Sequence, residues 1–203
     1  MPFNKLVFEM QPKESYVKMQ MDGFNDPTLC NFSLLSLTPI MRKEYKQSQA
    51  KEEYVLSYIE AAKVLAASCT NDPNSPIKMV ARQFSIAIPC IFLCRQAIEL
   101  SIKHCMEKCG DTPTFTHPIN ELWSQLKQLI AKNIATLETH KAVLEKMDSF
   151  ISIICSLDNE NSTQLRYPVR KGGDVFQKQI VFVALIPIVQ TTELFIKQLN
   201  EFR

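Results

Sequence analysis

FSIAIPCIFLCRQAIELSIKHCM, residues Phe84 to Met106, reads as one helix that is apolar almost all round yet carries Arg95, Glu99 and Lys103 at steps of four. At about 100° per residue, the three charges fall within about 80° of one another. Ile88, Ile91, Phe92, Ile98, Ile102 and Met106 project within roughly 60° of Arg95 on the same wheel. The charges therefore sit inside the apolar arc and not opposite it. A buried charge is costly unless it is paired and hydrogen-bonded, so these groups need partners. Two readings stay open. Glu99 and Lys103 form a favourable i, i+4 pair and Arg95 also reaches Glu99, which makes a structural ion-pair ladder. Alternatively, the three charges form one wall of a polar cleft or face another chain.

The sequence on either side of this stretch continues the helical pattern. Thr38 can cap a helix with Pro39 at its first position, running to about Ser68 with Tyr54, Tyr58, Ala61, Ala62 and Leu65 as its apolar stripe. TNDPNSP (70–76) breaks the chain, and the second helix spans about Pro76 to Lys108 with Pro89 kinking it. GDTPTFT (110–116) is a loop, and Pro118 opens a third helix, INELWSQLKQLIAKN. A fourth, Leu137 to Leu157, carries Val143, Leu144, Met147, Phe150, Ile151 and Ile154 on one face. After a polar stretch broken by Pro168, Gly172 and Gly173, a last helix runs from about Val175 to Phe202, kinked at Pro187. Residues 1–37 differ: two short apolar clusters, Lys5–Met10 and Tyr16–Met21, make either a short β-hairpin or an irregular extended arm. The expected architecture is all-α: an N-terminal arm over 1–37, and one domain over 38–203 that forms an antiparallel bundle of four to five helices.

Composition limits the function classes. The chain has 203 residues, enough for one domain with a real core. A net charge of +2 gives no global signature of nucleic-acid binding, although a local basic patch remains compatible with it. With 4 glycines there is no Gly-rich phosphate loop. The longest apolar runs fall short of the roughly 20 residues that a membrane span needs, so no membrane association is expected. The N-terminus lacks the apolar core of a signal peptide, and the 7 cysteines are scattered through apolar segments as reduced thiols are. A cytoplasmic protein is expected.

Several residues are candidates for chemistry. His117 precedes Pro118 at a helix start, where the helix dipole favours a neutral imidazole; it is either a base or acceptor, or a loop residue satisfying helix-end groups. Arg166, Tyr167 and Arg170, with Lys171, stand in a glycine-containing loop and either hold a phosphate or form a solvated turn. Cys90/Cys94 and Cys105/Cys109 lie too far apart on one helix to share an ion and read as small hydrophobes. No metal and no cofactor is expected. Trp123, with Leu122, Leu126 and Leu129, reads as core. There is no G-x-S-x-G and no H-E-x-x-H.

Three stretches in order, LCRQAIELSIKH (93–104), THPINELWSQL (116–126) and NSTQLRYPVRKGG (161–173), resemble the HEPN superfamily, in particular its uncharacterised prokaryotic branch. The resemblance covers roughly residues 80–200. It implies a four- or five-helix bundle, often dimeric, from a superfamily that includes metal-independent ribonucleases of toxin, antiphage and CRISPR-linked systems. Those enzymes use an arginine followed closely by a histidine. Here Arg95 and His104 have eight residues between them, and no arginine stands in the family's window before His104, His117 or His140. The resemblance therefore implies a non-catalytic member that binds RNA, a nucleotide or a partner protein, with Arg95, Glu99, Lys103, His117, Arg166, Tyr167 and Arg170 along one cleft. Two alternatives stand beside it: a ribonuclease with a non-standard set drawn from the same residues, and a purely structural dimerisation module. A shared cleft places His117 or Arg166 within hydrogen-bonding reach of Glu99.

Overall fold

A computed structural model describes residues 47–69, 76–113, 116–133, 137–158, 165 and 183–201. Side chains are described for 51–69, 85–113, 116–132, 141–158, 165 and 183–201. The described residues all lie within one compact unit, Ile40–Arg203. The N-terminal arm and the loop bearing Arg166, Tyr167 and Arg170 lie outside them.

The described residues form five helices and no strand: α1 (Gln47–Ser68), α2 (Pro76–Lys108), α3 (Ile119–Asn133), α4 (Leu137–Asp158) and α5 (Leu185–Glu201). The described residues form an all-α bundle, as their 3.6-residue periodicity indicates. α2 is its spine. It packs against α1, α3 and α5, and it is continuous through Pro89. Cys90 donates to the Ala62 carbonyl and Lys51 pairs with Glu107, so α1 and α2 run antiparallel. Lys63 pairs with Glu193 at one end of α1, while Ile196 packs on Val55 and Ile59 nearer the other, so α5 is antiparallel to α1. It consequently lies parallel to α2, with Thr192 beside Cys94 and the Leu199 carbonyl beside Cys105. α3 and α4 form an antiparallel hairpin, in which the Trp123 indole donates to Asp148.

The core gathers Ile98, Ile102 and Met106 from α2, Leu122, Trp123, Leu126 and Ile130 from α3, and Met147, Phe150, Ile151 and Ile154 from α4. Phe195 of α5 closes it, with its ring centroid 5.4 Å from Trp123 and 6.1 Å from Phe150. Offset and tilted ring pairs of this kind add to the burial of their area. Trp123 is thus a core residue. Cys90, Cys94 and Cys105 are buried free thiols within the same apolar packing.

Three expectations from sequence need correction. The buried face of α1 is Val55, Ile59, Ala62 and Ala66, while Tyr54 is exposed and Tyr58 and Leu65 are only partly buried. α1 carries apolar side chains on every side, so periodicity alone did not single out one stripe. Ile88, expected within the apolar arc of Arg95, is half exposed. The last helix begins at Leu185, since Val183 and Ala184 are not helical. Pro187 therefore falls in the first turn, where a missing N–H removes no helical hydrogen bond and imposes no kink.

α2 ends in a glycine cap. Gly110 has φ +81°, its N–H reaches the Glu107 carbonyl at 3.0 Å, and the Asp111 N–H reaches the Met106 carbonyl at 3.0 Å. This paired closure satisfies two carbonyls of the last turn and needs a left-handed residue at Gly110. It turns the chain back along the bundle, so that His117 and Pro118 come to lie beside the middle of α2.

Candidate functional site

The charged stripe of α2 meets partners from three directions. The Arg95 side chain is wholly excluded from solvent. Its Nε donates to Asp158 Oδ2 at 2.6 Å, its Nη1 to Glu99 Oε2 at 2.6 Å, and its Nη2 to the His117 carbonyl at 2.5 Å. One guanidinium thus joins its own helix, the last residue of α4 and the segment leading into α3. Its rigid fork of donors suits such a junction in a way that a lysine ammonium does not.

Glu99 is buried beneath Arg95 and carries three donors. Its Oε2 accepts from Arg95, and its Oε1 accepts from Lys103 at 2.8 Å and pairs with His117 Nδ1 at 3.0 Å. Burial alone pushes the Glu99 carboxyl up. Hydrogen bonds from Lys103, Arg95 and His117 outweigh it and hold the group below its ordinary range. Glu99 is therefore a carboxylate in the folded protein. Asp158 is the second buried anion. Besides Arg95, it accepts the Leu165 N–H on Oδ1 at 3.0 Å. Arg95 and Lys103 balance Glu99 and Asp158, so the network is electrically neutral when His117 is uncharged.

Exposure grades outward across this group. Arg95, Glu99 and Asp158 are buried and Lys103 is one-fifth exposed, whereas the His117 side chain is 55% exposed. The arrangement is a sealed ionic floor with an imidazole at its rim. Next to His117, the Thr116 hydroxyl lies 3.1 Å from Glu121 in the first turn of α3.

Of the residues singled out by sequence, Arg95, Glu99, Lys103 and His117 converge. Arg166, Tyr167 and Arg170 lie outside the described residues, although Leu165, the residue before Arg166, is tied to Asp158. Asp158 itself was missed. It sits in the polar run DNEN, which reads as a solvated helix end, and only the charged stripe of α2, which needs partners within an apolar arc, signalled that further polar groups must meet it.

A second ionic group joins α1 to the far end of α2. His104 is buried, with Nε2 3.3 Å from Glu52 and Nδ1 3.9 Å from Glu107. Lys108 pairs with Glu52, and Lys51 with Glu107. Among the described residues, no group of three His, Cys, Asp or Glu side chains is placed to hold a metal ion.

By length and composition, Ser85–Lys108 is apolar enough to cross a membrane, with mean hydropathy 1.5, but half of that window is buried inside the bundle. Its charged residues are paired with α1, α4 and the segment before α3, as befits a core helix. The chain matches no family model, no curated protein and no solved structure.

Proposed function

We propose that the chain is a non-catalytic, HEPN-like helical module of the bacterial cytosol that binds a phosphate-bearing ligand, RNA or a nucleotide, beside His117. The observation that carries this reading is the commitment of Arg95. A guanidinium that is wholly buried and bonded to Asp158, Glu99 and the His117 carbonyl is held away from any scissile phosphate. The nearest equivalent of the family's catalytic arginine is thereby assigned to the framework. The rim offers His117 and Lys103, and Leu165, whose N–H is held by Asp158, directly precedes Arg166, Tyr167 and Arg170 in sequence. That basic, aromatic stretch suits phosphate and base contacts. A place in a defence or stress system fits the resemblance.

The test is incubation with a mixed RNA pool and with adenosine nucleotides, comparing the wild type with His117→Ala and Arg166→Ala. Binding without cleavage, weakened in both variants, supports the proposal. Cleavage that both substitutions abolish replaces it with a ribonuclease that uses a non-standard set. The internal satisfaction of Arg95, Glu99 and Asp158 also favours a second reading, a structural or dimerisation module. Absence of any RNA or nucleotide binding, together with a stable dimer in solution, selects that reading.

A further inference from the structure

We infer that Arg95 and Asp158 are positioning residues that couple His117 to Leu165: what steadies or loosens His117 is transmitted through them to the Leu165 amide. The ligand side of this inference rests on the phosphate-binding reading above, whereas the coupling itself is a property of the unliganded chain.

His117 and Leu165 belong to different connections. His117 stands between α2 and α3, and Leu165 follows α4. Both are tied to one guanidinium. On one side His117 is gripped twice. Its carbonyl accepts from Arg95 Nη2, and its ring meets Glu99 Oε1, while Glu99 Oε2 accepts from Arg95 Nη1. Arg95, Glu99 and His117 thus close a ring of polar contacts. On the other side, Arg95 Nε donates to Asp158 Oδ2, and Asp158 Oδ1 accepts the Leu165 N–H. The Leu165 side chain packs against the apolar core, so this residue is held by backbone and side chain alike.

Three properties let this series of contacts transmit a displacement instead of absorbing it. The guanidinium is planar and rigid, so a shift of the His117 carbonyl at Nη2 tilts the edge that holds Asp158. The side chains of Arg95, Glu99 and Asp158 are sealed from water, so solvent offers no ready replacement for a weakened contact. Asp158 has one carboxylate for two tasks. When it turns to follow Arg95, the acceptor that it offers Leu165 moves as well. Leu165 directly precedes Arg166 in sequence. A ligand that steadies His117 therefore also steadies the residue beside the second group of candidate contacts, although neither Arg95 nor Asp158 touches it.

The test is amide hydrogen exchange followed by NMR on the full chain. The rate at Leu165 is compared with that at Ile102, a core residue of α2 whose exchange reports global opening. His117→Ala removes only a half-exposed ring. It should speed exchange at Leu165 by about fivefold or more and change Ile102 much less. Phe195→Ala, which loosens the packing around Trp123 and Phe150, should speed Ile102 without a selective effect at Leu165. Saturating adenosine monophosphate, or a single-stranded RNA oligonucleotide, should slow Leu165 in the wild type, and Asp158→Asn should abolish that slowing. If Leu165 merely follows Ile102 in His117→Ala, or if a bound probe leaves Leu165 unchanged, the inference is overturned and the phosphate-binding reading stands. A selective response to His117→Ala with no binding of either probe supports the coupling and overturns the phosphate-binding reading.

Discussion

Arg95 and Asp158 are 63 positions apart in sequence, yet Nε and Oδ2 meet at 2.6 Å with both side chains sealed from water. Removing one partner of such a buried pair strands the other charge in a low-dielectric interior, at a cost of about 3–5 kcal/mol. Arg95→Met is expected to lose stability on that scale, measured by urea unfolding. Asp158→Asn keeps a carbonyl acceptor and should lose less. Arg95→Lys should also destabilise, because one ammonium cannot serve Asp158, Glu99 and the His117 carbonyl together.

The Glu99 carboxyl titrates below its ordinary value, 4.5. A depressed folded value stabilises the protein where the unfolded chain's carboxyl is ionised, and that contribution disappears as pH falls through the lower folded value. Wild-type stability is therefore expected to drop on acidification below about pH 4.5. Glu99→Gln should be less stable at neutral pH and should lose much of that acid dependence, as followed by thermal unfolding from pH 2.5 to 7. An unchanged acid limb in Glu99→Gln would place the responsible carboxylate elsewhere.

Much of this ionic floor is legible in the sequence, and the reasons are specific. Three charges on the apolar arc of α2 demand partners, and the resemblance of the stretches 93–104 and 116–126 offers His117 at a helix start as a candidate; the glycine cap at Gly110 that turns the chain back is seen only in the structure. Asp158 is not legible. A carboxylate at a polar helix end is usually solvated, and only three-dimensional packing brings α4's last residue to Arg95. The face of α1 is illegible for the opposite reason: Tyr54, Val55, Leu56, Tyr58 and Ile59 surround the axis, and tertiary contacts alone choose Val55 and Ile59. In α4 one side is clearly richer in large apolar residues, and Met147, Phe150, Ile151 and Ile154 are buried as the pattern indicates.

Gly110 tests a backbone effect in isolation. A Cβ added there would meet nothing within 4 Å, so no clash confounds the result. At φ +81° any L side chain is strained, and Gly110→Ala is expected to cost about 1–2 kcal/mol. Chemical denaturation measures it.

Phe195 joins α5 to the α3–α4 hairpin through Trp123 and Phe150. Truncation to alanine leaves a cavity and should cost about 3–5 kcal/mol. Because Trp123 is the only tryptophan, its fluorescence reports directly on the repacked site. A substitution that leaves both stability and emission unchanged would contradict this packing.

The junction at Arg95 also has a consequence for how the bundle rejects wrong arrangements. Apolar helix faces slide easily past one another, and a one-turn slip of α4 moves Asp158 by about 5.4 Å. The apolar contacts largely survive such a slip, but the guanidinium does not keep its partner. An unpaired buried charge is among the most heavily penalised features of a folded chain. The Arg95–Asp158 pair thus works as a register key: it makes near-miss packings of an otherwise permissive core energetically distinct from the correct one, and through Asp158 it also anchors the Leu165 N–H.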